Sequence, residues 1–399
     1  MPELLIEFYD SESIYNYTAL LNEEYEAMAF FCGPDNEPDA REEKRVKEFT
    51  LSRFGILPEF ITINTGSVEK AAMKLAERIG DRSADIDLTG GSGLYSAAAG
   101  YFYKSAGGNV RLLLFKADEN RLVFSSPQGI RLRKKDTLSF ADCLAMNGRK
   151  VISVGGDGQY NFGSRSLRTE ILRLWDATRV IPADWNRFCS LTHEDSTGEH
   201  LHTRLRRKLK KEDDRIVCER VMAALKKKHI IYAYSFIKDG VREYLEYELF
   251  YSAKTKSLYE KGGTALEMFT CLAAYESGLF TDCQTGVMVD LDGDVTGLPF
   301  DPKNEIDMTA MLGNRPVFIS CKNTVPTKEY LYEIREMAGF FGGRYAICAL
   351  ACTPEAQNGV RERAEQMGVI LIDNLYGKTL TALKNRFVEE FGKNITEKN

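Results

Sequence analysis

The chain has 399 residues, a net charge of −5 and nine cysteines, with 44% hydrophobic and 28% charged residues. That length exceeds what one hydrophobic core usually serves, so two or three units are expected. The acidic balance argues against a surface coated throughout by nucleic acid. The cysteines are scattered singly with no CxxC pair, which disfavours a disulfide framework and a zinc ribbon. MPELLIEFYD enters a strand-like run directly, and no apolar stretch approaches the ~20 residues of a membrane span. A soluble, cytoplasmic protein with no membrane contact is the expectation.

In chain order, strands and helices alternate from the start. ELLIEFYD, EAMAFFCG, PEFITINTG, DIDLTGGSG and NVRLLLFKA read as strands. The segments between them, SIYNYTALLNEEY, REEKRVKEFTLSRFG, SVEKAAMKLAERIG and LYSAAAGYFYKSAGG, read as helices. Such alternation over some 115 residues predicts a Rossmann-like parallel, doubly wound sheet, in which ligands bind beyond the carboxyl ends of the strands. DIDLTGGSG exits into Thr89, Gly90, Gly91, Ser92 and Gly93 just before a helix, where backbone N–H groups suit a phosphate. Asp10 and Ser11, after the first strand, are placed at the same edge. The lysine of a GxxxxGK[ST] loop is missing, so a tight turn that simply needs glycine is the plain alternative.

Residues 139–228 read as a linker with a small helical and basic module. SRSLRTEILRLWDATRV and RIVCERVMAALKKK are helical, and HTRLRRKLKK at 202–211 concentrates positive charge. That run is either a solvated helix face balanced by Glu212, Asp213 and Asp214 or a patch that follows phosphates.

From residue 229 strands return as HIIYAYSFI and EYLEYELFYSA, and an ordered series follows. GGTALEMFTCLAAYESG is a helix, TGVMVDLDGD, NEIDMTAML and PVFISCKN are strands, TKEYLYEIREMAGFFGG is a helix, RYAICALAC a strand, EAQNGVRERAEQMG a helix and VILID a last strand, with a polar tail after Phe391 expected to fray. In NEIDMTAML and PVFISCKN the polar residues sit two apart. Period two therefore puts Glu305 with Asp307, and Ser320 with Lys322, on one face, while Ile306, Met308, Val317 and Ile319 point into a core. A carboxylate pair and a lysine at one spot can hold a divalent cation, a water and a phosphate, as phosphodiester hydrolysis requires.

The order of helix, aspartate strand and lysine strand resembles the PD-(D/E)xK nuclease superfamily, the fold of restriction endonucleases. The resemblance gives Glu267 the role of the helix acid, Asp307 that of the metal-binding aspartate and Lys322 that of the lysine. Ser320 stands where the pattern has an acid, with Glu305 as a substitute and Glu329 as a lesser candidate. The backbone carbonyl of Cys321 is the implied further ligand for Mn2+ or Mg2+, beside Glu267 and Asp307. The N-terminal half resembles the CRISPR-associated Rossmann fold (CARF) domain. Together the halves resemble the nucleases of type III CRISPR systems that join the two.

The resemblance implies a sensor over 1–138, the linker module over 139–228 and a nuclease over 229–399. It further implies a homodimer that binds a cyclic oligoadenylate, chiefly cyclic tetra-adenylate, and an allosterically activated, metal-dependent endonuclease of antiviral defence. Its substrate would be single-stranded or double-stranded DNA, or RNA. Two rivals stay open: a nucleotide-sensing, DNA-binding regulator with an inert core, and a restriction or repair nuclease that needs no activator.

Overall fold

The structure is a computed structural model describing residues 2–106, 108–116, 121–125, 132–133, 136–155, 160–194, 204–211, 213–250, 262–291 and 303–396. Its N-terminal sheet holds β1 (Leu4–Phe8), β2 (Ala27–Cys32), β3 (Glu59–Thr62), β4 (Ala84–Asp87), β5 (Val110–Lys116), β6 (Arg121–Ser125) and β7 (Leu132–Arg133), in the order β3-β2-β1-β4-β5-β6-β7. The first five strands are parallel, as the alternation predicts, with α1 (Ala40–Phe54), α2 (Val68–Ile79) and α3 (Gly93–Ser105) as crossovers. Strand order reverses at β1, between β2 and β4, which makes that carboxyl end the natural crevice for a ligand. The antiparallel extension β6–β7 is absent from the sequence reading.

One expected helix does not form. SIYNYTALLNEEY gives only a 3-10 turn, Ser13–Tyr17, followed by non-helical turns. Local side-chain bonds compete with the helix there. Asn16 closes on Asp10 through both its amide oxygen and its amide nitrogen, each at 2.9 Å, and Thr18 donates to the buried Asp87 carboxylate at 2.9 Å.

The middle of the chain is not a purely helical module. After α4 (Phe140–Met146), β8 (Lys150–Ser153) joins the C-terminal sheet. Then come α5 (Arg165–Thr178), α6 (Pro182–Cys189), β9 (Thr192–Glu194), β10 (Arg204–Lys208), α7 (Asp213–Lys227), β11 (Ile231–Asp239) and β12 (Arg242–Leu249), whose strands form a sheet of their own ordered β11-β12-β10-β9. The basic run is thus a strand, not a helix face; its residues 202–203 and Glu212 lie outside the described residues. Arg207 is wholly buried, donating to the Leu191 carbonyl at 3.1 Å and the Tyr247 hydroxyl at 3.3 Å. Arg206 pairs with Glu246 at 3.7 Å, so both arginines are held inside the module rather than offered to phosphates.

The C-terminal series follows its expected order: α8 (Thr264–Ser277), β13 (Thr281–Asp290), β14 (Lys303–Leu312), β15 (Arg315–Lys322), α9 (Lys328–Gly342), β16 (Ile347–Cys352), α10 (Asn358–Met367) and β17 (Val369–Ile372). These strands line up as β17-β16-β15-β14-β13-β8, the αβββαβ core of a restriction-endonuclease-like fold. A final helix, α11 (Leu380–Thr396), packs on α8 and carries the tail on where fraying was expected, leaving 397–399 outside the described residues. The two halves share one core through α4. Phe140 meets Phe318 of β15 at 5.3 Å between rings, and its N–H donates to Asp282 at 2.7 Å. Among the described residues no helix is long and apolar enough to cross a membrane.

Candidate functional site

The catalytic candidates sit where β14 and β15 run side by side. The register pairs Met308 with Ile319, so one step on, Asp307 faces Ser320. The Ser320 hydroxyl donates to Asp307 Oδ2 at 3.1 Å and the Cys321 N–H donates to the same oxygen at 2.7 Å. Both bonds go to one oxygen, so the carboxylate is fixed while Oδ1 stays available for other work. Lys322, half-buried, ends β15 with its ammonium 5.3 Å from the centre of the Tyr330 ring, an aromatic contact that limits its sweep.

Strict alternation fails at this point. Met308, Val317 and Ile319 enter the core beneath α8 as expected, but Ile306 enters the opposite core, with Val287 and Val289. The neighbouring strand switches faces at the same level. Gly286, at φ +56°, falls between Thr285, paired with Met308, and Val287, paired with Ile306. Thr285 donates to Met268 of α8 at 3.4 Å, whereas Val287 faces the other way. The register of β13 with β14 is unbroken through this stretch, so Gly286 stands opposite Asp307.

Glu267 lies in the first turn of α8 and folds back over its start. Its Oε1 is 2.7 Å from where a Cβ on Gly263 would be, so glycine there leaves room for the carboxylate. Burial, then the charges of Asp307 and Glu267, push the Cys321 thiol well above its ordinary pKa, which places both carboxylates around that residue. A hard cation such as Mg2+ or Mn2+ takes oxygen donors, so at this residue the backbone carbonyl is the fitting ligand. Glu305 is exposed, opposite Met288, and Glu329 is exposed on the first turn of α9. Among the described residues no three His, Cys, Asp or Glu side chains gather as a metal cage. Asp307 and Glu267 still fit Mg2+ or Mn2+ by donor chemistry, because such a cation commonly takes one or two carboxylates and completes its shell with water and substrate oxygens. Sequence reasoning missed Asn323 and Asn186: Thr353 donates to Asn323 at 2.7 Å, and Asn323 donates to Asn186 of α6 at 2.8 Å, tying the end of β15 to the middle module.

A pocket of about 560 Å³ opens at the carboxyl ends of β1 to β4. Asp10, Ser11, Gly91 and Ser92 are among the residues that line it. Ser92 starts α3 without a side-chain cap, which leaves that helix's first N–H groups for a ligand. Gly91 has φ +78°, and a Cβ there would fall 2.4 Å from Phe8 Cβ; a Cβ on Gly90 would fall 2.7 Å from the Phe8 carbonyl. Asp10 acts as a brace, accepting from Glu12 N–H at 2.8 Å and Gly91 N–H at 3.3 Å. Thr89 is turned to structure as well: its hydroxyl bonds Asp87 and accepts from Phe115 N–H at 2.8 Å. Thr89, Gly90 and Gly93 do not line the pocket. The loops after β2 and β3, with Asn36, Asn64 and Thr65, complete the wall and were missed.

The pocket's first loop also reaches the C-terminal half. The Glu12 carboxylate accepts from Arg344 N–H at 3.4 Å and lies 3.9 Å from its Nε, while Tyr15 packs edge-on against Tyr345 at 4.9 Å. The Tyr345 carbonyl in turn accepts from Arg315 Nε at 3.0 Å, at the start of the strand that ends in Lys322.

A Rossmann-like, largely parallel sheet with a ligand-sized pocket at its switch point is thus built onto a six-stranded mixed sheet with the restriction-endonuclease-like αβββαβ order. No family model and no curated protein sequence matches it. Solved structures do. Protein VC1899 from Vibrio cholerae is 15% identical with a TM-score of 0.71, over 98% of this chain and 98% of that one. Can2 from Sulfobacillus thermosulfidooxidans, in complex with cyclic tetra-adenylate, is 13% identical with a TM-score of 0.65, over 97% of this chain and 99% of that one. A type III CRISPR defence DNA nuclease activated by cyclic oligoadenylate is 13% identical with a TM-score of 0.51; the match covers 99% of this chain and 52% of that one. At these identities the likeness is one of fold.

Proposed function

We propose that this chain is a cyclic-oligoadenylate-activated, metal-dependent nuclease of type III CRISPR defence, with cyclic tetra-adenylate as activator and DNA or RNA as substrate. The observation that carries the reading is the presence, in one chain, of a switch-point pocket with an uncapped helix start and of a fixed aspartate beside a strand-end lysine. The fold likeness to Can2 with its cyclic tetra-adenylate, and to a nuclease activated by cyclic oligoadenylate, supports it.

Sensing is assigned to residues 1–138 and cutting to the C-terminal sheet, to which β8 also belongs. Activator phosphates lie against the start of α3 at Gly91 and Ser92, while Asp10 holds the two loops in register. A ring with twofold symmetry suits a homodimer in which each protomer offers the same loops. At the other site, Asp307 and Glu267, with the Cys321 carbonyl, would hold Mg2+ or Mn2+, which supplies Lewis acidity at a phosphate oxygen. Ser320 keeps the Asp307 carboxylate oriented, and Lys322 orients the hydrolytic water and offsets charge on the phosphate. The contacts from Asp10 through Glu12 and Tyr345 to β15 give the pocket a physical route to the catalytic strand.

Lys322→Ala should lower cleavage by about 10²-fold or more while leaving activator affinity unchanged. Undiminished cleavage in that variant would sink the catalytic assignment. The serine at position 320 favours one other reading, a regulator that binds DNA without cutting it. Nucleic-acid retention with no cleavage by the wild-type chain, with metal and activator present, would establish that reading instead.

A further inference from the structure

A second groove, of about 880 Å³, lies between α1 and the turn from α4 to β8, outside both sites described above. Arg41, Lys44, Arg45, Arg149 and Lys150 line it, against three carboxylates. Each carboxylate is already engaged. Asp39 caps α1 by accepting from Glu42 N–H at 2.8 Å, Glu42 pairs with Arg45 at 3.1 Å, and Glu48 lies 3.8 Å from Lys44.

Arg149 has no acid of its own among the described residues. Its guanidinium lies 3.9 Å from the centre of the Phe340 ring and 5.4 Å from that of Phe341. Arg45 presses on the preceding residue: its Cδ is 3.0 Å from where a Cβ on Gly148 would sit, and its Nε is buried with no hydrogen-bond partner. Arg45 and Arg149 therefore lie together in the groove, and among the described residues the one ion pair that either makes is that of Arg45 with Glu42. Burial and the charge of Arg45 draw the Arg149 pKa down, the signature of a cation short of counter-charge. Arginine nevertheless stays protonated, so an anion bound between the two groups would relieve the repulsion. The ring stack fixes the plane of Arg149 beforehand, which lowers the ordering cost of binding.

We propose that this groove binds a phosphate-bearing ligand of nucleotide size, with Arg45 and Arg149 as the fork that grips the phosphate and Lys150 as added charge. Guanidinium forks match phosphate oxygens, the volume falls in the range of small-ligand sites, and Phe49 and Leu291 give the wall an apolar part. The ligand would bridge α1 of the N-terminal half and β8 at the edge of the C-terminal sheet. Its reach extends to the first pocket, since the Tyr9 hydroxyl, on that pocket's wall, is hydrogen-bonded to Glu42. None of this depends on the nuclease reading.

The test is calorimetric titration of the full chain with pyrophosphate and with ATP. Both should bind, and Arg149→Gln should weaken both by about tenfold or more, with Lys150→Gln giving a smaller loss in the same direction. Thermal denaturation checks that each variant is folded, and if Arg149→Gln is not, Lys150→Gln decides. Failure of both probes to bind the wild-type chain would overturn the proposal. So would affinities unchanged in the folded variants, which would put the phosphate in the other pocket.

Discussion

The two candidate sites are made in opposite ways. The pocket at the ends of β1 to β4 is a backbone construction: glycines let loops approach, helix α3 starts uncapped, and Asp10 of the first loop is spent on bracing. The edge of β14 and β15 is a side-chain construction, with an aspartate fixed by two donors and a lysine held against a ring. A backbone site is broken by adding atoms, and a side-chain site by removing charge. That difference sorts the tests.

The largest effect belongs to the charge. Asp307→Asn should keep a bond from Cys321 yet cost about 10²–10³-fold in cleavage, with melting temperature little changed; near-normal cleavage would mean that the carboxylate only supports the fold. Next comes the added atom. Gly91→Val forces a β-branched residue into φ +78° and against Phe8, and should cost about 1–3 kcal/mol of stability together with activator binding. Wild-type activator affinity in Gly91→Val would show that the loop is not part of the pocket.

Glu12→Ala tests the link between the two. Its removal should leave activator affinity intact and weaken activation by about 0.5–2 kcal/mol of coupling, read as a higher activator-free fraction of cleavage or a lower maximum. An unchanged activation ratio would remove Glu12 from the route.

The smallest expected effect concerns a buried acid outside both sites. Glu7 is fully buried with both carboxylate oxygens unpartnered among the described residues, and burial, then the neighbouring Asp87, raise its pKa well above the ordinary 4.5. The folded chain then holds a proton that the unfolded chain gives up first. Stability is greatest below the ordinary carboxylate pKa and declines as pH rises toward the folded value. Glu7→Gln should flatten that decline in chemical melts from about pH 5 to about pH 8. A parallel slope in the variant would show that Glu7 is not its source.

How much of this could be read from the sequence follows the same division. The order αβββαβ was legible because alternating strands and amphipathic helices carry their own period, and Asp307 and Lys322 came with it. The switch of faces at Gly286 was not, since it depends on which strand lies beside Asp307. Nor was the place of β8, whose Lys150 pairs with Asp290 far along the chain. Arg207 was read as a surface charge because a run of basic residues gives no hint that one will be buried under Tyr247 and Leu191. Other misses had signals. Leu380, Leu383, Phe387 and Phe391 fall at helical spacing and mark α11, and the NTG after β3 resembles in kind the TGG after β4.

The most direct test of the account is cleavage of plasmid and single-stranded substrates by the purified wild-type chain in Mn2+, with and without cyclic tetra-adenylate. The account predicts cutting only when metal and activator are both present. Equal cutting without the activator would contradict it, and would leave the N-terminal half as a scaffold rather than a sensor.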